Sequence, residues 1–217
     1  MKNWKLLIAI LVLVNSFAAL ACKTENDDKV NQLLDIVGND AFYYKKDTIC
    51  SRLKSHSSLL YNKLSVEGVL ALHSYTTDGT YKLYDDYNRT LRSRRADDKK
   101  KYGPAIEMIN KALAKFPKYK GNVVRYETKK SVNSWYPGKI KTFKGYTSTS
   151  KKKGFKWKGN VKMFIKSKTG KYVGFISAFP NEQEVLFSPA TKFKVIKKEK
   201  ETNPSTKVEW HIYLEEV

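Results

Sequence analysis

An α+β fold is predicted by three observations. Apolar residues recur at helical spacing from Asp27 to Phe116, short β-branched and aromatic runs take over from Gly121 onward, and no β-α-β alternation links the two halves. Helices first and strands after imply an antiparallel-rich sheet core. At 217 residues, with 41% hydrophobic and 13% aromatic residues, the chain has a globular composition and enough length for one substantial core.

Residues 1–21 read as a signal segment. Lys2 and Lys5 precede an unbroken apolar run from Leu6 to Val14, and Ala19-Leu20-Ala21 offers small residues where a signal peptidase reads. The run is too short for a comfortable membrane span, and no other apolar stretch approaches one. The expectation is an exported chain with one domain over residues 22–217. Cys22 would then be its first residue, which leaves two readings: a disulfide with Cys50 in an oxidising compartment, or a lipid-anchored N-terminus.

Each helix has its own signal. Val30, Leu33, Leu34, Val37 and Ala41 recur at threes and fours. Val66, Val69, Leu70 and His73 form a short amphipathic stretch behind Ser65, a residue suited to capping. Tyr84, Tyr87, Asn88 and Leu91 mark a third helix, which contains the sequon Asn88-Arg89-Thr90. Ile106, Ile109, Leu113 and Phe116 mark a fourth, opened by Pro104 and closed by Pro117. The charged stretch from Ala96 to Gly103 is expected to be an exposed break.

Strands are expected at Val123–Tyr126, Lys139–Phe143, Val161–Ile165, Tyr172–Ile176, Val185–Phe187, Phe193–Ile196 and Val208–Leu214, with Gly, Pro, Asn or Ser in nearly every gap. Basic residues outnumber acidic ones by 42 to 21, a formal charge of +21. Such an excess attracts anions of every class, from nucleic acid to phosphorylated ligands, without choosing among them.

The familiar enzyme kits are missing. No Gly-rich phosphate loop precedes a helix and no G-x-S-x-G elbow occurs. His56, His73 and His211 are scattered, and no His/Cys/carboxylate set has metal-ligand spacing, so no metal is expected. What remains is Arg125 in the first strand, Ser148-Thr149-Ser150 after Phe143–Thr147, and Glu182-Gln183-Glu184 leading into Val185-Leu186-Phe187.

That order resembles the Arg-Ser-Glu class of mono-ADP-ribosyltransferases. The resemblance extends to Tyr87-Asn88 and Leu91-Arg92 on a helix and to Phe179–Phe187 as the catalytic segment, and it covers roughly residues 60 to 214. It implies the ADP-ribosyltransferase fold, with N-terminal helices followed by a mixed, mainly antiparallel two-sheet core. It also implies NAD as co-substrate, an arginine-bearing protein as acceptor, and a secreted, toxin-like monomer.

The same resemblance assigns roles. Glu184 would stabilise the cationic ribose, Glu182 would hold and deprotonate the acceptor guanidinium, and Ser148 would fix Glu184. Arg125, Tyr126, Thr149 and Ser150 would contact the dinucleotide, and Phe179 would touch the target as an exposed aromatic. Tyr75 and Trp157 are weaker candidates for the nicotinamide cleft. An extended Glu182–Glu184 segment would put both carboxylates on one side. Tyr126 departs from the Gly often found after the strand-one Arg, and the Lys-rich stretch after Ser150 lacks the family's frequent Arg. Alternatives from other classes are NAD glycohydrolysis at the same site and a basic secreted module for nucleic acid or anionic surfaces. Glu182 argues against nucleic acid as the acceptor.

Overall fold

The computed structural model describes residues 22, 27–38, 45–78, 82–93, 95–203 and 205–217. The expected signal segment at 1–21 and the helical position Ala41 lie outside the described residues. Among the described residues six helices come first: α1 (Asp27–Val37), α2 (Lys46–His56), α3 (Ser58–Lys63), α4 (Val66–Tyr75), α5 (Leu83–Arg92) and α6 (Ala96–Ala114). Eight strands follow: β1 (Gly121–Glu127), β2 (Ile140–Phe143), β3 (Thr147–Ser150), β4 (Val161–Ser167), β5 (Lys171–Tyr172), β6 (Glu184–Phe187), β7 (Thr191–Lys200) and β8 (Trp210–Glu216).

The α+β expectation holds, and the strands run in the order β2-β7-β8-β4-β1-β3-β6-β5. Among the described residues only the β4–β8 pair is parallel. A five-stranded half, β2-β7-β8-β4-β1, meets a three-stranded half, β3-β6-β5, at the single register pair Val124↔Ser150. Each half has its own core. Tyr146, Ile176 and Leu186 join the helical cluster around Leu33, Leu53, Leu70 and Ile109. Val185 and Phe187 join Val123, Met163, Ile165, Phe193 and Ile212. Strand β6 is buried at all four positions: Leu186 supplies the helical core, Val185 and Phe187 supply the other, and Glu184 borders the cleft. The cleft opens where the two halves part.

Helix α4 runs through the centre and is buried at every residue, beyond the amphipathic stretch expected. Its cap is as expected: the Ser65 hydroxyl accepts from the Gly68 amide. A Cβ on Gly68 would stand 3.2 Å from the Ala112 Cβ, so this glycine lets α4 and α6 approach closely.

Several expectations are corrected. Residues Ala96 to Gly103 are helical: Asp97 and Asp98 sit in the first turn of α6, where the helix dipole favours acids, and Pro104 lies inside the helix. Tyr102 is buried from this stretch and donates a hydrogen bond to Asp86 at 3.0 Å, tying α6 to α5. The expected strand Tyr172–Ile176 ends at Tyr172. The chain then turns, with the Ile176 and Ser177 amides both donating to the Val173 carbonyl, so that Val173 and Ile176 face the helical core at a spacing of three. Helices α2 and α3 were not expected. Each buries few apolar side chains (Ile49, Cys50 and Leu53 in α2, Leu60 in α3), too few for a clear period. Asn88 of the sequon is buried and donates to the Tyr75 hydroxyl, so its amide is not presented for a glycan.

Cys22 and Cys50 form a disulfide, which uses the thiol that lipidation would need. Among the described residues no helix is long and apolar enough to cross a membrane.

Candidate active site

Strand β1 carries Arg125 and Glu127 on one side of its pleat. The Arg125 Nη1 donates to the Ser148 carbonyl at 2.7 Å, while Nε and Nη2 reach Glu127 Oε1 at 2.9 and 2.8 Å. Lys129 pairs with the other Glu127 oxygen. Burial pushes the Glu127 carboxyl up, but Arg125 and Lys129 together outweigh it and hold the group below its usual range.

Strand β3 lies antiparallel to β6 with Ser150 opposite Glu184. Its hydroxyls tie down the acidic segment. Thr149 Oγ1 donates to the Val185 carbonyl at 2.6 Å, and Ser150 Oγ donates to the Glu182 carbonyl at 2.5 Å. Both residues were expected to contact a dinucleotide; in this structure their side-chain protons serve the backbone of the acidic segment. Ser148 acts on the Glu184 carboxyl and favours its ionised form.

The acidic segment differs from its expected shape. Pro180–Glu182 forms a 3₁₀ turn and Gln183 is left-handed at φ 50° and ψ 52°, so only Glu184 begins the strand. Glu182 and Glu184 nevertheless face one cleft, brought together by the kink at Gln183 and not by strand alternation. Glu184 is 4% exposed. Burial raises its pKa to about 7, Glu182 adds to the rise, and hydrogen bonds from Ser148 and Ser177 with the charge of Arg125 oppose it. The Ser177 contact spans 3.4 Å. The Glu182 carboxyl is also raised, first by burial and then by the charge of Asp78.

The loop before the acids is braced from α4. The Ile176 carbonyl lies 2.7 Å from His73 Nδ1, and the Ala178 amide donates to Thr76 Oγ1 at 2.8 Å. His73 is thus a buried brace in the helix, as expected of a packing residue. Phe179 projects from the turn at 44% exposure.

These groups line a cleft of about 820 Å³, and Arg125, Tyr126, Ser148, Thr149, Ser150, Phe179, Glu182 and Glu184 all border it. Tyr75 and Trp157 border it too, the first buried and the second 53% exposed. Tyr126 directs its hydroxyl to the Phe155 carbonyl at 3.1 Å. Arg125, Lys129, Lys144 and Lys158 give the wall positive charge, whereas Asp78, Asp85 and Glu182 are acidic. Sequence reasoning missed Glu127, Ser177 and Asp78. Arg125-x-Glu127-x-Lys129 carried a readable signal, since alternation on a strand places three charges in a row.

Among the described residues no group of three or more His, Cys, Asp or Glu side chains could hold a metal ion. The cleft can hold an anionic ligand against Arg125 and bring a second reactant to two carboxylates.

A comparison with protein families decides the kinship: the model described as NAD:arginine ADP-ribosyltransferase matches residues 22–217. The chain belongs to this ADP-ribosyltransferase family. It is 32% identical over 140 residues to the NAD(+)–protein-arginine ADP-ribosyltransferase Tre1 of Pseudomonas putida (strain GB-1), covering 61% of this chain and 26% of that protein. It is 27% identical over 170 residues to Tre1 of Serratia proteamaculans (strain 568), covering 76% and 36%. The chain thus spans about a quarter to a third of the length of these two relatives. Among solved structures it is similar to the type III effector XopAI from Xanthomonas axonopodis pv. citri, with a TM-score of 0.66, 24% identity and 90% of each chain covered. That likeness shows a shared fold.

Proposed function

We propose that this ADP-ribosyltransferase-family chain transfers ADP-ribose from NAD to arginine side chains of a protein target. The observation that carries the reading is the convergence of Glu182, Glu184, Ser148 and Arg125 on one cleft. The cleft volume of about 820 Å³ lies within the range of small-molecule sites, and family membership supports NAD as the co-substrate.

Arg125 offers planar, permanently charged donors to the NAD diphosphate. Glu184, ionised, accepts a hydrogen bond from the ribose 2′-hydroxyl and stabilises the positive charge that builds as the bond from C1′ to the nicotinamide nitrogen breaks. Nicotinamide leaves with the bonding electron pair. Glu182 holds the acceptor guanidinium in a charge-assisted pair and takes its proton as a guanidine nitrogen bonds C1′. The burial that raises Glu182 makes it a better base than an ordinary surface carboxylate. Ser148 and Ser177 hold the Glu184 carboxyl, and Ser150 holds the backbone of Glu182. Phe179, exposed beside the acids, supplies an apolar contact for the target, and Tyr126 and Tyr75 flank the dinucleotide.

The disulfide supports action outside the cytosol, in line with the signal segment read at residues 1–21. Incubation with labelled NAD and either agmatine or polyarginine tests the reading. Label on the guanidine is the expected product, and release of nicotinamide without any labelled acceptor would favour glycohydrolysis.

A further inference from the structure

We infer that Glu127, two residues beyond Arg125 on β1, is a positioning residue that holds the Arg125 fork in the one orientation able to receive the NAD diphosphate; this rests on the transferase reading above. An arginine has five N–H donors. In this cleft Nε and Nη2 both give a proton to Glu127 Oε1, and Nη1 gives one to the Ser148 carbonyl. The donors left over are one on each terminal nitrogen, a pair suited to two phosphate oxygens.

Glu127 is itself held from behind. Lys129 pairs with its second oxygen, and Lys129 is fixed in turn: its amide donates to Asn160 Oδ1 at 2.8 Å, and Asn160 Nδ2 donates to its carbonyl at 3.0 Å. The Lys129 ammonium also lies 5.4 Å from the ring centre of the buried Trp135. The row of alternating charges therefore runs from a pinned lysine, through Glu127, to Arg125 and on to the backbone of Ser148, whose side chain favours the ionised form of Glu184. Gly159 permits the arrangement, since a Cβ there would stand 2.7 Å from the Glu127 carbonyl oxygen.

Charge alone gives the opposite expectation. A carboxylate beside a phosphate-binding arginine repels the anion, so a purely electrostatic Glu127 would weaken NAD binding and its neutralisation would strengthen it. A positioning Glu127 strengthens binding through geometry. Two conservative variants separate these effects. Glu127→Gln keeps the length and an acceptor oxygen but loses the charge, whereas Glu127→Asp keeps the charge but falls one methylene short of Arg125.

The experiment is calorimetric titration of NAD into the full chain carrying Glu184→Gln, so that NAD is not consumed, alone and combined with each Glu127 variant, with Tm recorded for each. The expected result is a Kd about tenfold weaker for Glu127→Asp and no weaker than the parent for Glu127→Gln. Unchanged affinity with Glu127→Asp, or a tenfold loss with Glu127→Gln at an unaltered Tm, would overturn the inference. NAD cleavage by the chain with Glu184 intact is measured in parallel. If it persists in that case, the transferase reading stands and only the role of Glu127 falls; if neither NAD binding nor Glu184-dependent cleavage is found, both fall.

Discussion

In the β3–β6 ladder Ser150 stands opposite Glu184, and Ser148 on the same face of β3 favours the ionised form of that acid. Burial nevertheless prevails and leaves the Glu184 pKa at about 7. The Glu184 carboxyl is therefore poised between its two protonation states near neutrality.

Activity should follow that titration. Only ionised Glu184 can stabilise a cationic ribose, so kcat/KM for NAD cleavage is expected to rise with pH and reach half its plateau near pH 7. Initial rates from pH 5 to 9 check this, and a plateau already complete at pH 5.5 would contradict it.

Stability should move the other way. The folded state holds the Glu184 proton up to about pH 7, whereas the unfolded chain releases it near 4.5. The fold therefore loses stability as pH rises between those values and carries the full penalty above pH 7. Glu184→Gln mimics the protonated acid at every pH. Its stability advantage over the parent chain is expected to grow from nearly nothing at pH 4 to on the order of 3 kcal/mol at pH 8, measured by denaturant unfolding.

Ser148→Ala removes an interaction that favours the ionised acid. The pH midpoint of NAD cleavage is expected to move upward from about 7, with kcat at pH 7 lower by about tenfold. A midpoint unchanged in this variant would show that Ser148 does not hold Glu184 in solution.

Gln183 has φ 50°, a conformation that costs an L-residue about 1 kcal/mol and a β-branched residue more. Gln183→Gly is expected to leave folding intact and Gln183→Val to lower Tm by several degrees and transfer with it. Equal Tm for the two variants would exclude the left-handed kink.

The eight residues that the family resemblance assigned to the site border one cleft. How they meet was not legible. The expectation of an extended Glu182–Glu184 segment followed from strand alternation, but a left-handed Gln carries no mark in its residue type; Asn or Gly would have suggested it. The part played by Glu127 depends on its contacts with Arg125 and Lys129, which spacing along a strand permits but does not specify. The helices with strong apolar periods were readable, whereas α2 owes its helix to three side chains and the packing they meet. The strand expected after Tyr172 became a turn because Val173 and Ile176 find the helical core instead of a sheet face.

The most direct measurement compares Glu182→Ala and Glu184→Ala with the parent chain, using labelled NAD with agmatine and following both free nicotinamide and labelled guanidine. The expected result for Glu184→Ala is loss of both products by roughly 10²-fold or more, and for Glu182→Ala, loss of labelled guanidine with nicotinamide release preserved. If Glu184→Ala cleaves NAD as fast as the parent chain, the cleft does not perform this chemistry.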